Sequence, residues 1–212
     1  MSRLTIISFL FATIFLGCSR KKDKFISRNF HALGTKYNIL YNGGLALESG
    51  KNSLDDAFKD NFWDLLPVER MEVNDDFMMI GEQKNSDFER AEEKATKAVQ
   101  KHGMNIKGKE KNPQIDEAYL MLGKSRYFEQ RFVPALEAFN YILYKYPTSD
   151  KINQARVWRE KTNMRLDNDA LAIRNLNTLL LVFLASIVLI FLSFLINFGN
   201  RISKSKLLDN LS

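Results

Sequence analysis

Residues 116–150 read DEAYLMLGKSRYFEQRFVPALEAFNYILYKYPTSD, and their spacing decides the fold. Tyr119 is followed three and four residues later by Leu122 and Gly123, and Ala135 lies 12 residues after Gly123. Aromatic and small side chains thus recur at the spacing of a helix face. The pattern predicts two antiparallel helices that approach closely at the small residues, with the aromatic side chains filling the gap between them.

This stretch resembles a tetratricopeptide repeat. The repeat pairs two helices through an aromatic-x-x-Leu-Gly run, an Ala in the second helix, an aromatic four residues later and a closing Pro. The sequence departs from the pattern at Arg126, where an aromatic is usual. A second, weaker unit covers 152–176, so we predict tetratricopeptide repeats over 115–176. The predicted repeat-core residues are Tyr119, Leu122, Gly123, Phe132, Ala135, Phe139 and Pro147.

The segment before the repeats, 30–102, also has mostly helical periodicity, interrupted by an irregular loop at 67–86. Gly50 is expected to end its first helix, and Ser53 and Asp87 are expected to cap the second and third. These three predicted helices are 31–49, 53–66 and 88–102. They would be degenerate hairpins, and Gly103 to Pro113 would be a polar loop.

The formal charge of +6 invites a nucleic-acid interpretation, but its distribution argues against one. The segment 29–177 holds 22 basic and 23 acidic residues, so the body of the protein is nearly neutral. The basic excess flanks two apolar runs, as it does beside membrane-inserting segments. A nucleic-acid-binding domain is expected to carry a basic stripe on its folded body. We therefore expect no nucleic-acid partner.

The first apolar run, Leu4–Leu16, has 13 residues, which is too short to span a bilayer as a helix. With the basic start before it, the run predicts a signal peptide over 1–17. The sole cysteine, Cys18, follows Gly17 and resembles the lipobox of bacterial lipoproteins. We expect acylated Cys18 to become the first mature residue, with 18–29 as a lipidated basic linker. An uncleaved anchor with a buried cysteine is the alternative.

The second apolar run, Leu179–Ile196, has 18 residues without a charge. It predicts a transmembrane helix over 179–198, followed by a basic tail over 199–212. The positive-inside rule places that tail in the cytoplasm and the body in the periplasm, which would imply the inner membrane. The alternative is a truncated or frameshifted gene, because out-of-frame AT-rich DNA also gives such a composition. Resequencing the gene around codon 177 would separate the two.

Three segments together resemble the amino-terminal part of the gliding-motility and type IX secretion lipoproteins known as SprE or PorW. They are 59–73, 88–106 and 112–147, and the Gly17-Cys18 start adds to the likeness. The resemblance implies a periplasm-facing, outer-membrane tetratricopeptide lipoprotein without enzymatic activity. Its partners would be other secretion-machinery proteins and, through acylated Cys18, membrane lipid. Family members continue with many more repeats, whereas this chain becomes apolar after Asn177.

Repeat geometry suggests where a protein partner would bind. The concave surface of a helical solenoid is formed by the first helix of each hairpin. The candidate partner-binding residues on it are Glu117, Leu120, Lys124 and Tyr127. A bitopic inner-membrane protein that tethers a generic tetratricopeptide adaptor domain is the alternative function.

Residues for catalysis or for binding a cofactor are not apparent in the sequence. His31 and His102 have no Cys or His neighbours at metal-ligand spacing, so we interpret both as ordinary helix residues. Nucleotide-binding and hydrolase motifs do not occur. We therefore expect no catalytic residues, no metal, no cofactor and no small-molecule substrate.

Overall fold

The computed structural model describes residues 19–63, 65, 67, 69–71 and 85–209, without the side chains of 199–209. These residues are mostly helical with little sheet, which confirms the predicted helical fold class in its coarse form. The predicted signal peptide, Cys18 and most of the predicted loop 67–86 lie outside the described residues. The chain divides into two units, Met1–Leu166 and Asp167–Ser212, which are described separately.

In the first unit, each helix packs against the next one along the chain. The first helix is continuous but changes from α to π geometry and back again. The third α-helix also ends in a π-helical segment. The elements are α1 (Phe25–Gly34), π1 (Thr35–Leu40), α2 (Tyr41–Ala57), α3 (Ser86–Lys97), π2 (Ala98–His102), β1 (Asn105–Ile106), β2 (Lys109–Glu110), α4 (Ile115–Phe128), α5 (Phe132–Lys145) and α6 (Ile152–Arg165).

The predicted boundary at Gly50 is wrong, because α2 continues through it to Ala57. A Cβ at Gly50 would lie 2.6 Å from the Phe88 ring of α3, so the glycine permits close packing and does not end the helix. Ser53 does not cap a new helix either. Its hydroxyl donates to the Ser49 carbonyl 3.0 Å away, one turn earlier in the same helix. A separate helix over 53–66 is therefore absent, and residues 58–63 are not helical.

The third predicted helix exists, but its cap lies two residues earlier than expected. The Asn85 side chain accepts from the backbone N–H of Asp87 at 2.9 Å and caps α3. Asp87 instead accepts a 2.8 Å hydrogen bond from the Ser49 hydroxyl, which joins α3 to α2. Asn and Asp are nearly equal as helix caps, so propensity alone could not separate the two positions.

The predicted polar loop after π2 contains a short hairpin of β1 and β2. Its turn residues Lys107 and Gly108 both have positive φ, as a type I′ turn requires. Below the turn, one oxygen of the Glu110 carboxylate accepts the backbone N–H groups of Met104, Lys111 and Asn112 at 2.7–3.0 Å. This carboxylate fixes the path of the chain into α4.

The close approach of α4 and α5 centres on Gly123. A Cβ at this position would collide with the Phe139 ring, so only glycine allows the observed distance between the two helices. Tyr119 is half-buried against Tyr141 and Tyr146. Pro147 is exposed and follows the end of α5. The other predicted repeat-core residues are buried, namely Leu122, Phe132, Ala135 and Phe139.

Arg126, the departure from the repeat pattern, joins three helices. Its Nε donates to Glu92 of α3 at 2.8 Å, and its Nη1 donates to the Pro134 carbonyl of α5 at 3.2 Å. Arg131 reaches the other oxygen of Glu92 at 2.7 Å. Burial alone would raise the pKa of Glu92, but the hydrogen bonds and charges of the two arginines outweigh burial and lower it. A charged network thus replaces an aromatic contact at this position.

The second unit is one long helix, α7 (Asp169–Asp209). Its part Asp169–Phe198 is long and apolar enough to cross a membrane. An 18-residue window within this part has a mean hydropathy of 3.2, and 0% of that window is buried. This agrees with the predicted span at 179–198. The predicted second helix of the weaker repeat unit, 170–176, forms the start of α7.

Alanine substitutions at Gly123 and Gly44 should have opposite effects on stability. Gly123→Ala should lower the free energy of unfolding by about 1–3 kcal/mol, because its Cβ overpacks the α4–α5 contact. Gly44→Ala is the matched control within α2, where an added Cβ meets nothing within 4 Å, and it should raise stability by about 0.5–1 kcal/mol. Guanidinium unfolding of the full chain in detergent, followed by tryptophan fluorescence, would measure both. Equal effects would contradict the assigned role of Gly123.

Candidate partner-binding groove

Alternate helices of the first unit line a cavity of about 580 Å³. Helices α2, α4 and α6 supply its walls together with the segment around Glu69, whereas α3 and α5 supply none of the lining residues. We call this cavity the groove. Its lining residues are Gly44, Leu47, Glu48, Lys51, Leu54, Asp55, Pro67, Glu69, Arg70, Lys124, Phe128, Trp158 and Lys161.

Trp158 of α6 forms an aromatic platform in the groove. Two lysine ammonium groups lie over its ring, with Lys124 Nζ 5.2 Å and Lys161 Nζ 4.7 Å from the ring centroid. The ring itself is held by Phe139, stacked at 6.2 Å, and by the edge of Phe128 at 5.7 Å. Core packing therefore fixes the platform, and the platform positions both cations.

The groove concentrates positive charge around Lys124. Burial lowers the pKa of Lys124 first, and the neighbouring charges of Lys151, Lys161 and Lys51 lower it further, while Glu117 acts in the opposite direction. Neither Lys124 nor Lys51 forms an ion pair with any residue that the structure describes. A carboxylate close to Lys124 would relieve this repulsion between the positive charges.

A carboxylate of the chain itself already lies at one side of the groove. Glu69 accepts hydrogen bonds from the Tyr127 hydroxyl and from Lys161 Nζ, the latter at 2.6 Å, and Arg165 lies 3.8 Å away. Burial raises the pKa of Tyr127, which keeps its hydroxyl protonated as a donor. Two residues after Glu69, Met71 is buried in the core cluster that includes Phe128 and Tyr127. The segment 69–71 thus supplies one carboxylate and one apolar side chain.

The four predicted partner-binding residues do not form one exposed surface. Lys124 lines the groove, and Glu117 is half-buried. Leu120 and Tyr127 are only 4% and 1% exposed, so the prediction of an accessible position is wrong for both. Tyr127 is covered by Trp158 of α6 and by Glu69, which the spacing within a single repeat cannot reveal.

Of the residues that line the groove, the sequence predicted only Lys124 as a partner-binding residue, and Lys51, Trp158 and Lys161 are among those that it did not predict. Lys51 lay beyond the boundary placed wrongly at Gly50, so no helix face could be assigned to it. Trp158 fell within the weaker second unit, and its aromatic side chain was the available signal. Lys161 lies three residues after Trp158, one turn along α6, so a helical wheel of α6 would have placed the two together.

The fold also brings the two histidines together. His31 on α1 and His102 on π2 have their Nδ1 atoms 3.2 Å apart, within hydrogen-bond distance. Burial lowers the pKa of both; the charge of Arg20 lowers both pKa values further, and Lys97 adds to the effect on His102. Nearby, the Asn112 amide donates to the Thr35 hydroxyl and to the His102 carbonyl. The histidine pair therefore joins α1 to the end of π2.

Comparisons with known proteins show no family to which the chain belongs, so the indications of function come from the geometry of the groove. No protein-family model matches the chain, and no curated protein matches it. In the part of the chain that the structure describes, no group of three or more His, Cys, Asp or Glu side chains could hold a metal ion. The groove is the described cavity in which several charged groups and an aromatic ring converge.

Acidification should destabilise the first unit through the histidine pair. Because both pKa values are lowered in the folded state, this contribution is complete above the ordinary pKa of 6.5 and is lost as the pH falls below it. The denaturation midpoint should therefore decrease between pH 7.5 and pH 5.5. The chain has 2 histidines, so a His31→Gln, His102→Gln double variant is the control. If the double variant keeps the full pH dependence, the histidines are not its source.

Proposed function

We propose that this protein is a lipid-anchored scaffold that binds other proteins of the type IX secretion and gliding-motility machinery on the periplasmic side of a membrane. The groove is the observation that carries the proposal. A cavity bounded by every second helix, with two lysines over a tryptophan ring, is suited to hold an extended segment of a partner.

The arrangement of the helices supports a tetratricopeptide-like scaffold. The connection between α4 and α5 has three residues, so the two helices form an antiparallel hairpin, and α5 in turn packs on α6. Non-neighbouring helices also touch, since α4 contacts both α2 and α6. Packing of each helix mainly on its sequence neighbours is typical of solenoids. The resemblance of 59–73, 88–106 and 112–147 adds the link to type IX secretion.

The chemistry of the groove favours an acidic partner segment. Lys51 and Lys124 have no ion-pair partner among the described residues. Glu69, which Lys161 and Tyr127 hold, shows how a carboxylate is bound at the side of the same groove. Met71, two residues after Glu69, is buried, which shows that an apolar side chain at this distance from the carboxylate can also be accommodated. We therefore propose that the partner presents Asp or Glu side chains together with an apolar residue, in extended conformation.

We propose binding and not catalysis as the activity of the groove. Its described lining residues include no Ser, Cys or His, the side chains that most often act as nucleophile or general base. The lysines are placed over the Trp158 ring, which suits them to hold a carboxylate. The outer membrane is the proposed location, with acylated Cys18 as the anchor.

Charge reversal in the groove should abolish partner binding. Lys124→Glu places a carboxylate where the partner's carboxylate would bind, so crosslinked partner recovered from membranes should decrease at least tenfold. Lys109→Glu is the matched control, since it makes the same charge change at an exposed lysine of β2 outside the groove. Secretion of a type IX cargo protein into the medium should fall with Lys124→Glu and not with Lys109→Glu. Undiminished crosslinking and secretion in Lys124→Glu would refute the proposal.

The second candidate function is a bitopic membrane protein that tethers the helical unit through α7. The apolar stretch of α7, which is long enough to cross a membrane and has 0% of its apolar window buried, is the observation that favours it. Carbonate extraction of a Cys18→Ala variant would separate the two anchors. Release into the soluble fraction is expected if the lipid is the working anchor, whereas retention in the membrane would show that α7 spans it.

A further inference from the structure

A row of apolar side chains runs along the outside of the first helix. Its members are large, and each is at least half exposed; for example, Ile26 is 72% and Tyr37 is 67% exposed. The row extends from α1 through π1 into α2, a distance of about 30 Å at the rise of an α-helix. We call it the outer stripe. It consists of Ile26, Phe30, Leu33, Tyr37, Tyr41 and Leu45.

The outer stripe is distinct from the face that packs into the fold. Its members follow one another at intervals of three or four residues, which places them on one side of a helix. The buried face of the same helix has its own periodicity, with Ser27, His31 and Thr35 at intervals of four residues. On an α-helix, which has about 3.6 residues per turn, side chains at repeated four-residue intervals gradually move around the helix axis. The wider turns of π1 contain more residues and offset this movement. Both faces therefore persist along the whole helix.

An exposed stripe of this length needs a partner. The terminal helices of helical solenoids ordinarily carry a polar outer face, because nothing packs on them. Single exposed apolar residues are common, but a contiguous apolar patch marks a site of interaction. In this protein the described helix α1–π1–α2 carries such a patch on its exposed face.

The residues that precede the helix indicate what covers the stripe. Lys21, Lys22 and Lys24 are exposed immediately before Phe25, the first residue of α1. Lysines at the end of an apolar helix face are attracted to anionic lipid headgroups and would repel a second copy of the same segment. Two of the six stripe residues are Tyr, which is enriched at the boundary between lipid and water, and Phe and Leu are typical of the apolar face of interfacial helices.

We propose that the outer stripe lies in the headgroup region of an anionic phospholipid membrane, with the helix axis parallel to the membrane plane. This inference rests on the proposed lipid anchor, because Cys18 precedes Phe25 by only seven residues. An acyl anchor and a lysine-flanked apolar helix face beside it act as two membrane signals, and two signals give a more stable attachment than one. The stripe and the lysines supply the second signal. They also fix how the first helix faces the membrane.

Depth-dependent fluorescence quenching tests this inference on the full chain. An environment-sensitive dye is attached at Tyr37→Cys, and the protein is reconstituted in vesicles of phosphatidylethanolamine and phosphatidylglycerol with bromine atoms near the headgroup end of the acyl chains. Tyr144→Cys is the matched control, because Tyr144 is also an exposed tyrosine of the first unit, at 85%, on a different helix. Brominated lipid should quench the dye at position 37 by more than half and leave the dye at position 144 unchanged. High salt should reduce the quenching in vesicles rich in phosphatidylglycerol.

The outcomes separate this inference from the proposed function. Intact-mass measurement of the same preparation shows whether Cys18 carries acyl chains. An unquenched dye at position 37 on an acylated chain would overturn membrane docking of the stripe and leave the anchor standing. Dye-to-dye energy transfer at position 37 without lipid quenching would assign the stripe to a second copy of the chain. Undiminished crosslinking of the partner in Lys124→Glu, which would refute the groove proposal, would leave the stripe inference intact.

Discussion

The contact between α4 and α5 at Gly123 determines how the rest of the first unit is arranged. The absence of a side chain at Gly123 lets the Phe139 ring of α5 lie directly on the α4 backbone. Phe139 in turn stacks on Trp158 and thereby positions α6. Since Trp158 carries Lys124 and Lys161 over its ring, the spacing of two helices in the core sets the position of the charges in the groove.

The first helix serves three surfaces at once. Its buried face packs on α3 through Gly50 and Phe88, its groove face presents Lys51, and its outer stripe lies exposed. The packing of its buried face on α3 and α4 holds this helix in the first unit. If the outer stripe docks on a membrane, the orientation of the groove relative to that membrane is fixed by the same rigid helix. The two proposals are therefore linked mechanically, although each has its own test.

Much of the fold was predictable because helical periodicity is a local signal. The α4–α5 hairpin and the exposed apolar helix follow directly from the spacing and from the length of the apolar run. The wrong helix boundaries were predicted at residues of a type that can have two structural roles. A glycine such as Gly50 can end a helix or permit close packing, and only the position of the Phe88 ring distinguishes the two. The groove was found in part, because Lys124 was identified but Lys51 and Trp158 were not.

The sequence by itself determined the helical class, the helix pair over 116–150 and the near-neutral charge of the segment 29–177. Each of these features depends on residues that are neighbours along the chain. Only the tertiary structure decided which side chains are accessible. Tyr127 and Leu120 are buried because other segments cover them, and Glu69 meets Lys161, which lies 92 residues away in sequence. Contacts between distant residues depend on how all the helices pack together, and no local spacing records that information.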